Sequence, residues 1–231
     1  MTTKLEEARE GVMDMLPIAL AALPFALLLG SEAVHRGLSP GELGLMSLVV
    51  FAGSAQFLTV SIWSHPAPWA SLAFATLLIN LRHLLMSASL SSKVERFTPL
   101  QRAYAAFVMA DETWALNERR AKMRVLTPSY YAGTALCLYV IWFLGSIAGT
   151  SFGDRLPPPE SIGFDFVFSA LFISLITSFA RTSRSIPVIA ASLGVALIVK
   201  SLFGGMAFII AGGLAGVIAA AALPPEQKDA P

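Results

Sequence analysis

The feature that most constrains this chain is a charged pair, Arg82-His83, in the middle of a long apolar stretch. From Pro66 to Ser92 the sequence runs for 27 residues, and only these two side chains can ionise. A helix needs about 20 mostly apolar residues to cross a bilayer. An arginine that faces lipid at that depth costs between about 3 and about 15 kcal/mol. The stretch therefore predicts a central helix whose arginine is sheltered by a counter-charge, a wet cavity or other helices.

The polar residues of this stretch fall on two faces of a helix. Thr76, Asn80, His83 and Ser87 are spaced by four, three and four residues, which places them in one stripe. Arg82 points roughly 130° away from that stripe, at about 100° per residue. Exposing either polar face to lipid would cost free energy, so we expect protein on both sides of this helix.

The composition of the whole chain predicts that its other helices pack around this one in a membrane. The chain has 231 residues, of which 55% are hydrophobic and 13% charged, whereas a soluble domain carries about 25% charged residues. Its net charge of +1 gives no indication of nucleic-acid binding. We predict an all-α polytopic membrane helix bundle that forms a single integral membrane domain over residues 1–231.

Seven apolar segments are candidate membrane spans, and one further segment is too short for an upright span. The short segment, residues 103–117, contains Asp111 and Glu112 and is flanked on both sides by basic residues. Because basic flanks favour the cytoplasm, we expect it to re-enter the membrane or to lie at its interface. The seven predicted spans cover about residues 12–30, 43–63, 70–90, 130–151, 164–180, 186–200 and 204–223.

The loop charges predict an orientation for seven spans. With the N-terminus outside, 11 lysines and arginines lie inside and 4 lie outside. Eight spans, in which residues 103–117 also cross and the N-terminus is inside, give 9 and 6, so the positive-inside rule favours the first arrangement. An odd number of spans would also make spans 1–3 and spans 4–6 run in opposite directions. Inverted repeats of secondary transporters have this property, and we treat such a repeat as a hypothesis.

Four short motifs stand out: FAGSAQF at residues 51–57, NLRHLLMS at 80–87, DETWAL at 111–116 and GFDF at 163–166. In this order and approximate spacing they resemble the AzlC family, the large subunit of bacterial branched-chain amino acid exporters. One departure is that Ser169-Ala170 follows the last motif, where the family often has a proline. The resemblance implies a multi-pass transporter domain in the bacterial inner membrane. It also implies export of branched-chain or related apolar amino acids by alternating access, with a small AzlD-type membrane subunit.

A zwitterionic amino acid needs partners for its carboxylate, its ammonium group and its side chain. An arginine or a helix N-terminus can hold the carboxylate, and an acidic side chain can hold the ammonium group. A histidine near the midplane is a candidate for proton coupling, because imidazole titrates near neutral pH. The candidate substrate-binding residues are Gly53, Ser54, Gln56, Asn80, Arg82, Asp165 and Phe166, and the candidates for proton coupling or ion pairing are His83, Asp111 and Glu112.

Each candidate also has a structural interpretation, and the sequence leaves both open. Arg82 could pair with Asp111 or Glu112 only to stabilise the fold, and the two acids could equally form a solvated patch. His83 could make structural hydrogen bonds, and Asp165 could cap a helix. The small residues of the second predicted span could serve helix packing, as such residues usually do in membranes.

Other classes of function also remain open from the sequence. The chain could carry another small amphipathic metabolite, form a channel-like pore, or act as a membrane subunit without carrier activity. A pore would need a continuous polar lining, whereas the polar residues here cluster in spans 2, 3 and 5. Three scattered histidines, a single cysteine and no phosphate loop predict neither an enzyme nor a metal or cofactor site. The expected partners are an amino acid substrate, the small subunit and membrane lipid, without nucleic acid.

Overall fold

The computed structural model describes residues 3–152, 173, 185–203 and 207–224. All regular structure in these ranges is helical, and the chain divides into two compact units, residues 1–157 and 158–231. Four described segments are long and apolar enough to cross a membrane, namely Lys4–His35, Trp69–Lys93, Pro128–Ser151 and Ser185–Phe203. The predicted all-α membrane class is confirmed, whereas the count of about seven spans is not. Of the predicted span 164–180, only residue 173 is among the described residues.

The first unit contains eight described helices, with short connections between them. Their bounds are α1 Lys4–His35, α2 Pro40–Val49, α3 Gly53–Ser61, α4 Trp69–Asn80, α5 Arg82–Leu90, α6 Pro99–Phe107, α7 Asp111–Met123 and α8 Pro128–Phe152. A single 3-10 turn, Ser91–Lys93, extends α5. Only Leu81 separates α4 from α5, so these two helices together form the predicted central span.

Helices α1 and α8 run parallel in direct backbone contact and form the spine of this unit. Glycines permit the contact: a Cβ atom added to Gly149 would lie 2.1 Å from the carbonyl oxygen of Leu27, and one added to Gly11 would lie 2.3 Å from that of Tyr130. The residue numbers rise together along the two helices, which establishes that they are parallel. The GxxxG spacing that ends at Gly149 therefore serves packing within the chain.

Helices α2 and α3 form a first hairpin instead of the single span predicted at residues 43–63. The amide nitrogen of Gln56 donates to the hydroxyl oxygen of Ser47 at 2.9 Å across the hairpin, and a ring nitrogen of His65 lies 3.4 Å from the carbonyl oxygen of Gly37 at its base. The turn is residues 50–52, where Ala52 has extended backbone angles of φ −148° and ψ 90°. The predicted span is wrong because the apolar segment reverses direction at this turn.

Helices α6 and α7 form a second hairpin, which includes the short segment 103–117. On its first arm, the carbonyl oxygen of Ala105 accepts a hydrogen bond of 2.9 Å from the hydroxyl of Tyr131, near the beginning of α8. On its returning arm, the amide nitrogen of Asn117 donates to the hydroxyl of Thr134 at 3.0 Å. Both arms therefore lie beside the first part of α8, and the turn at residues 108–110 lies farther along the spine.

The two hairpins begin with the same local structure. Ser39 precedes Pro40 and forms a capping box with Glu42, and Thr98 precedes Pro99 and forms one with Gln101. Each box satisfies backbone donors that a helix start leaves unpaired, and proline suits the first helical position. In the first box, hydrogen bonds from the Ser39 backbone N–H and hydroxyl hold the pKa of Glu42 below its ordinary value.

The hairpins enter the unit from opposite ends, and their turns meet near its middle. Phe51 of the first turn and Ala110 of the second share an apolar cluster with Met15, Ala19 and Leu138. Ala19 lies midway along α1 and Leu138 lies near the middle of α8. Each hairpin thus inserts about halfway along the spine and returns to the end where it began.

The α4–α5 segment crosses between these two ends, antiparallel to α1. At its start the ring of Trp69 packs 6.1 Å from that of Trp63, beside the base of the first hairpin. At its far end Nζ of Lys93 donates to Glu118 at 2.7 Å, near the end of the second hairpin. We call these the His65 end and the basic end of the unit. Nine lysines and arginines lie at the basic end, namely Lys4, Arg9, Lys93, Arg96, Arg102, Arg119, Arg120, Lys122 and Arg124.

This arrangement corrects the predicted orientation. The guanidinium of Arg120 bonds to the carboxylates of Glu7 and Glu10, so the N-terminal helix begins at the same end as the basic segment 93–124. The loop count placed them on opposite sides because it treated the first hairpin as a crossing. Arg36 lies at the His65 end. The excess of lysine and arginine at the basic end of this unit is therefore larger than the loop count from the sequence indicated.

The second unit contains helices α9, Ser185–Phe203, and α10, Ala207–Ala222. They pack closely, since a Cβ atom added to Gly212 would lie 2.9 Å from the Cβ of Ala196 and 3.0 Å from the carbonyl oxygen of Ser192. The GxxxG spacing of this region, Gly212 to Gly216, therefore also faces a neighbouring helix of the same chain.

Candidate functional site

Arg82 connects the two hairpins at the middle of the first unit. One terminal nitrogen of its guanidinium donates to Oδ2 of Asp111, the first residue of α7. The other donates to the hydroxyl oxygen of Ser54, the second residue of α3, at 2.5 Å. The side chains of Arg82 and Asp111 are 27% and 28% exposed, so the pair is partly screened from solvent. We call these three residues the Arg82 centre.

The Arg82 centre contains a charged pair near the middle of the first unit. Arg82 begins α5 directly after the one-residue junction at Leu81. Asp111 supplies the counter-charge that the sequence required. The ion pair that could stabilise the fold is therefore formed in this structure. Glu112 follows Asp111 in the first turn of α7. The predicted role of these residues in substrate binding or proton coupling stays a prediction.

His83 holds the second turn from the same helix. One ring nitrogen lies 3.2 Å from the carbonyl oxygen of Met109, and the other lies 3.2 Å from that of Asn80. Both neighbours are acceptors. A neutral imidazole can donate to only one of them, whereas a protonated imidazole donates to both. Protonation of His83 would therefore add one hydrogen bond, to the carbonyl oxygen of Met109 or to that of Asn80, whichever one the neutral ring does not reach.

The other predicted site residues occupy different surroundings. Gln56 is fully buried. Its amide nitrogen donates to Ser47, and its amide oxygen accepts a hydrogen bond of 2.8 Å from the indole N–H of Trp142. Gly53 packs against the same indole, since an added Cβ would lie 2.8 Å from its ring. The side-chain oxygen of Asn80 is buried without a partner among the described residues. Asp165 and Phe166 lie outside the described residues.

Two groups at this site were missed from the sequence. The backbone carbonyl of Met109 carries no sequence signal for contact with a histidine. Trp142 carries a weak one, because a tryptophan in the middle of an apolar span departs from the usual enrichment at membrane interfaces. Its indole N–H needs a partner when buried, and Gln56 on the first hairpin supplies it.

A second ionic cluster fixes the second hairpin at the basic end. The side chain of Arg120 is only 6% exposed and donates to Glu10 at 2.5 and 2.9 Å and to Glu7 at 3.1 Å. Its guanidinium also lies 4.3 Å from the ring centre of Tyr130. The cluster thereby ties α7 to the beginnings of α1 and α8, and it is distinct from the Arg82 centre.

An apolar cleft of about 530 Å³ lies near the basic end, between the starts of α6 and α8. Its lining contains Gln101 and two tyrosines but no acidic or basic side chain. It could not balance both charges of a zwitterion, so it is a poorer candidate for an amino acid than the Arg82 centre. Among the described residues, no three His, Cys, Asp or Glu side chains are grouped to hold a metal ion.

These features define an α-helical membrane protein in which two opposed hairpins converge on a charged pair. Residues 17–156 match the AzlC protein family. This match covers more than half of the chain, so the protein belongs to the AzlC family, a membrane transport family and not an enzyme family.

Three relatives illustrate the range of the family. The inner membrane protein YgaZ of Escherichia coli is 29% identical over 91% of this chain and 88% of its own length. The branched-chain amino acid transport protein AzlC of Bacillus subtilis is 29% identical over 80% of this chain and 73% of its own length. An Archaeoglobus fulgidus membrane protein is 30% identical over 73% of this chain and 74% of its own length. No solved structure matches the chain.

Proposed function

We propose that this protein exports branched-chain or related apolar amino acids across the bacterial inner membrane by alternating access. The observation that carries the proposal is the Arg82 centre, a cation and an anion held at mid-depth by two hairpins from opposite ends. Arg82 offers a partner for the substrate carboxylate, and Asp111 offers one for the ammonium group. The name of the Bacillus subtilis relative, a branched-chain amino acid transport protein, supports the substrate class.

The arrangement of the hairpins supports a carrier. Helices α3 and α7 both begin at the inner turns, after Ala52 and Ala110, whose methyl side chains provide no cap. Their positive N-terminal ends therefore lie at mid-depth, as the broken helices of secondary transporters do around an anionic group. A backbone turn at that depth is tolerated where protein or a wet cavity surrounds it. In this proposal both hairpins re-enter the membrane without crossing it.

The same arrangement suggests an inverted repeat with boundaries other than those expected from seven spans. One copy is α1 with the first hairpin, and the other is α4–α5 with the second hairpin. Each copy has a crossing segment and a hairpin with a three-residue turn, and the two copies run in opposite directions. Exchange of conformation between such copies would expose a central site first to one side and then to the other.

Several finer features belong to the same proposal. We place the basic end in the cytoplasm, because lysine and arginine concentrate on that side of membrane proteins. We keep His83 as the candidate for proton coupling, because an ionisable ring contacts the carbonyl oxygen of Met109 in the second hairpin turn. A small AzlD-type membrane subunit is the proposed partner, and the substrate-binding role of Ser54 and Arg82 is part of the proposal.

Efflux from proteoliposomes tests the proposed function. The purified full chain is reconstituted with and without a small AzlD-type subunit, and the vesicles are loaded with labelled leucine, valine, isoleucine or methionine. We expect saturable efflux that unlabelled branched-chain amino acids inhibit. Efflux that stays linear with concentration would indicate a pore, and no efflux in either preparation would contradict carrier activity.

A further inference from the structure

The carboxylate of Asp111 occupies the place on Arg82 that a substrate carboxylate would need. We propose that binding exchanges these partners: the substrate carboxylate takes the guanidinium of Arg82, and Asp111 receives the substrate ammonium group. Asp111 is thereby the residue that restricts the site to zwitterions. This inference rests on the proposed function and adds the basis of its selectivity.

The hydrogen bonds of Arg82 leave capacity for such an exchange. Asp111 uses only one of its two carboxylate oxygens on the guanidinium, and Ser54 uses the other terminal nitrogen. The Nε group of Arg82 is buried and has no hydrogen-bond partner among the described residues. A guanidinium holds a carboxylate best through two parallel hydrogen bonds. A substrate carboxylate that makes both bonds would compete effectively with the one-oxygen contact of Asp111.

The charge balance explains why the exchange favours a zwitterion. In this structure Arg82 and Asp111 compensate one another, and an amino acid carries one charge of each sign. After exchange, the four charges again form two opposite pairs. An anion without an ammonium group would leave Asp111 unpaired, and an amine without a carboxylate would leave Arg82 unpaired. An uncompensated charge in a partly buried site is strongly unfavourable.

The positions of the three residues link this exchange to the hairpins. Ser54 belongs to α3 of the first hairpin, Asp111 belongs to α7 of the second, and Arg82 belongs to the crossing segment between them. Breaking the Arg82–Asp111 contact removes a direct connection between the crossing segment and the second hairpin. Glu112 remains the same in every comparison below, so differences between the variants report the charge of Asp111 or Arg82.

Three ligands of similar shape test the proposal on the full chain. They are L-leucine, 4-methyl-2-oxopentanoate, which lacks the ammonium group, and 3-methylbutylamine, which lacks the carboxylate. Affinity is measured by isothermal titration in detergent, and inhibition of leucine efflux is measured in proteoliposomes. For the unmodified chain we expect leucine to bind at least about tenfold more tightly than either analogue, a difference of about 1.4 kcal/mol.

Two charge-neutralising variants should reverse this preference in opposite directions. Asp111→Asn should favour the oxo acid over leucine, because Arg82 then has no competing anion and the ammonium group has no partner. Arg82→Gln should favour the amine over leucine for the corresponding reason. Asp14→Asn is the matched control: Asp14 is exposed on α1 and accepts a 2.7 Å hydrogen bond from Tyr130 away from the Arg82 centre, and this variant should keep the leucine preference.

The outcomes separate this inference from the proposed function. Leucine preference retained in Asp111→Asn, with leucine transport intact in the unmodified chain, would overturn the inference and leave the function standing. Failure of the unmodified chain to bind or transport leucine would contradict both. If the variants do not fold, the unmodified chain alone decides, because equal affinity for leucine and the oxo acid would also overturn the inference.

Discussion

Replacing Gly149 with alanine should destabilise the spine on which both hairpins rest. The added Cβ would lie 2.1 Å from the carbonyl oxygen of Leu27 and 2.8 Å from its carbonyl carbon. Both are backbone atoms, so no side-chain rotation relieves the contact. The helices must separate by about 1 Å or more to restore an ordinary distance of about 3.5 Å. Overpacking of this kind costs about 1–3 kcal/mol.

Thermal unfolding in detergent measures this effect. For a chain of this size, 1 kcal/mol changes Tm by about 2–4 °C, so we expect Gly149→Ala to lower Tm by about 5 °C. Gly41→Ala is the matched control, because Gly41 is also helical and no atom lies within 4 Å of its added Cβ. That variant should leave Tm unchanged or raise it. An unchanged Tm in Gly149→Ala would refute the close parallel packing of α1 and α8.

Three further predictions concern the site and the hairpins. Arg82→Lys keeps the charge but loses the planar fork, so we expect leucine efflux to fall about tenfold or more; wild-type efflux would show that the fork is not used. In a cysteine-free background, impermeant thiol reagents should label Lys4→Cys and Arg119→Cys from one side and Ser64→Cys from the other; labelling of the first two from opposite sides would disprove the first hairpin. Gln56→Leu leaves the indole N–H of Trp142 without its acceptor, so the free energy of unfolding should fall by about 2 kcal/mol. Unchanged stability would contradict that contact.

The sequence alone predicted the elements whose signal is length and apolar composition. Predicted spans at residues 12–30, 70–90 and 130–151 correspond to α1, α4–α5 and α8. It also identified Arg82 as a residue that needs shelter and named Asp111 as a possible counter-charge, and the two side chains form an ion pair in the structure. These features follow from the cost of exposing charge to hydrocarbon, which does not depend on the details of packing.

The first hairpin could not be predicted in this way. Residues 43–63 are as apolar as a true span, and hydropathy does not distinguish a helix that crosses from two that fold back. The reversal depends on contacts that are distant in sequence, such as the bonds of Gln56 to Ser47 and Trp142. The error in orientation followed from this one, because counting the hairpin as a crossing assigns every earlier loop and the N-terminus to the wrong side. The shared Ser/Thr-Pro capping boxes at Ser39 and Thr98 were the available local signal.

The most direct test of the central claim is the binding of labelled leucine to the purified full chain and to Arg82→Ala. Arg9→Ala, which removes an exposed arginine near the start of α1, is the control for loss of a positive charge. We expect saturable binding to the unmodified chain and to Arg9→Ala, and an affinity at least about 100-fold lower in Arg82→Ala, since 100-fold corresponds to about 2.7 kcal/mol. Leucine bound by Arg82→Ala as tightly as by the unmodified chain would place the substrate elsewhere.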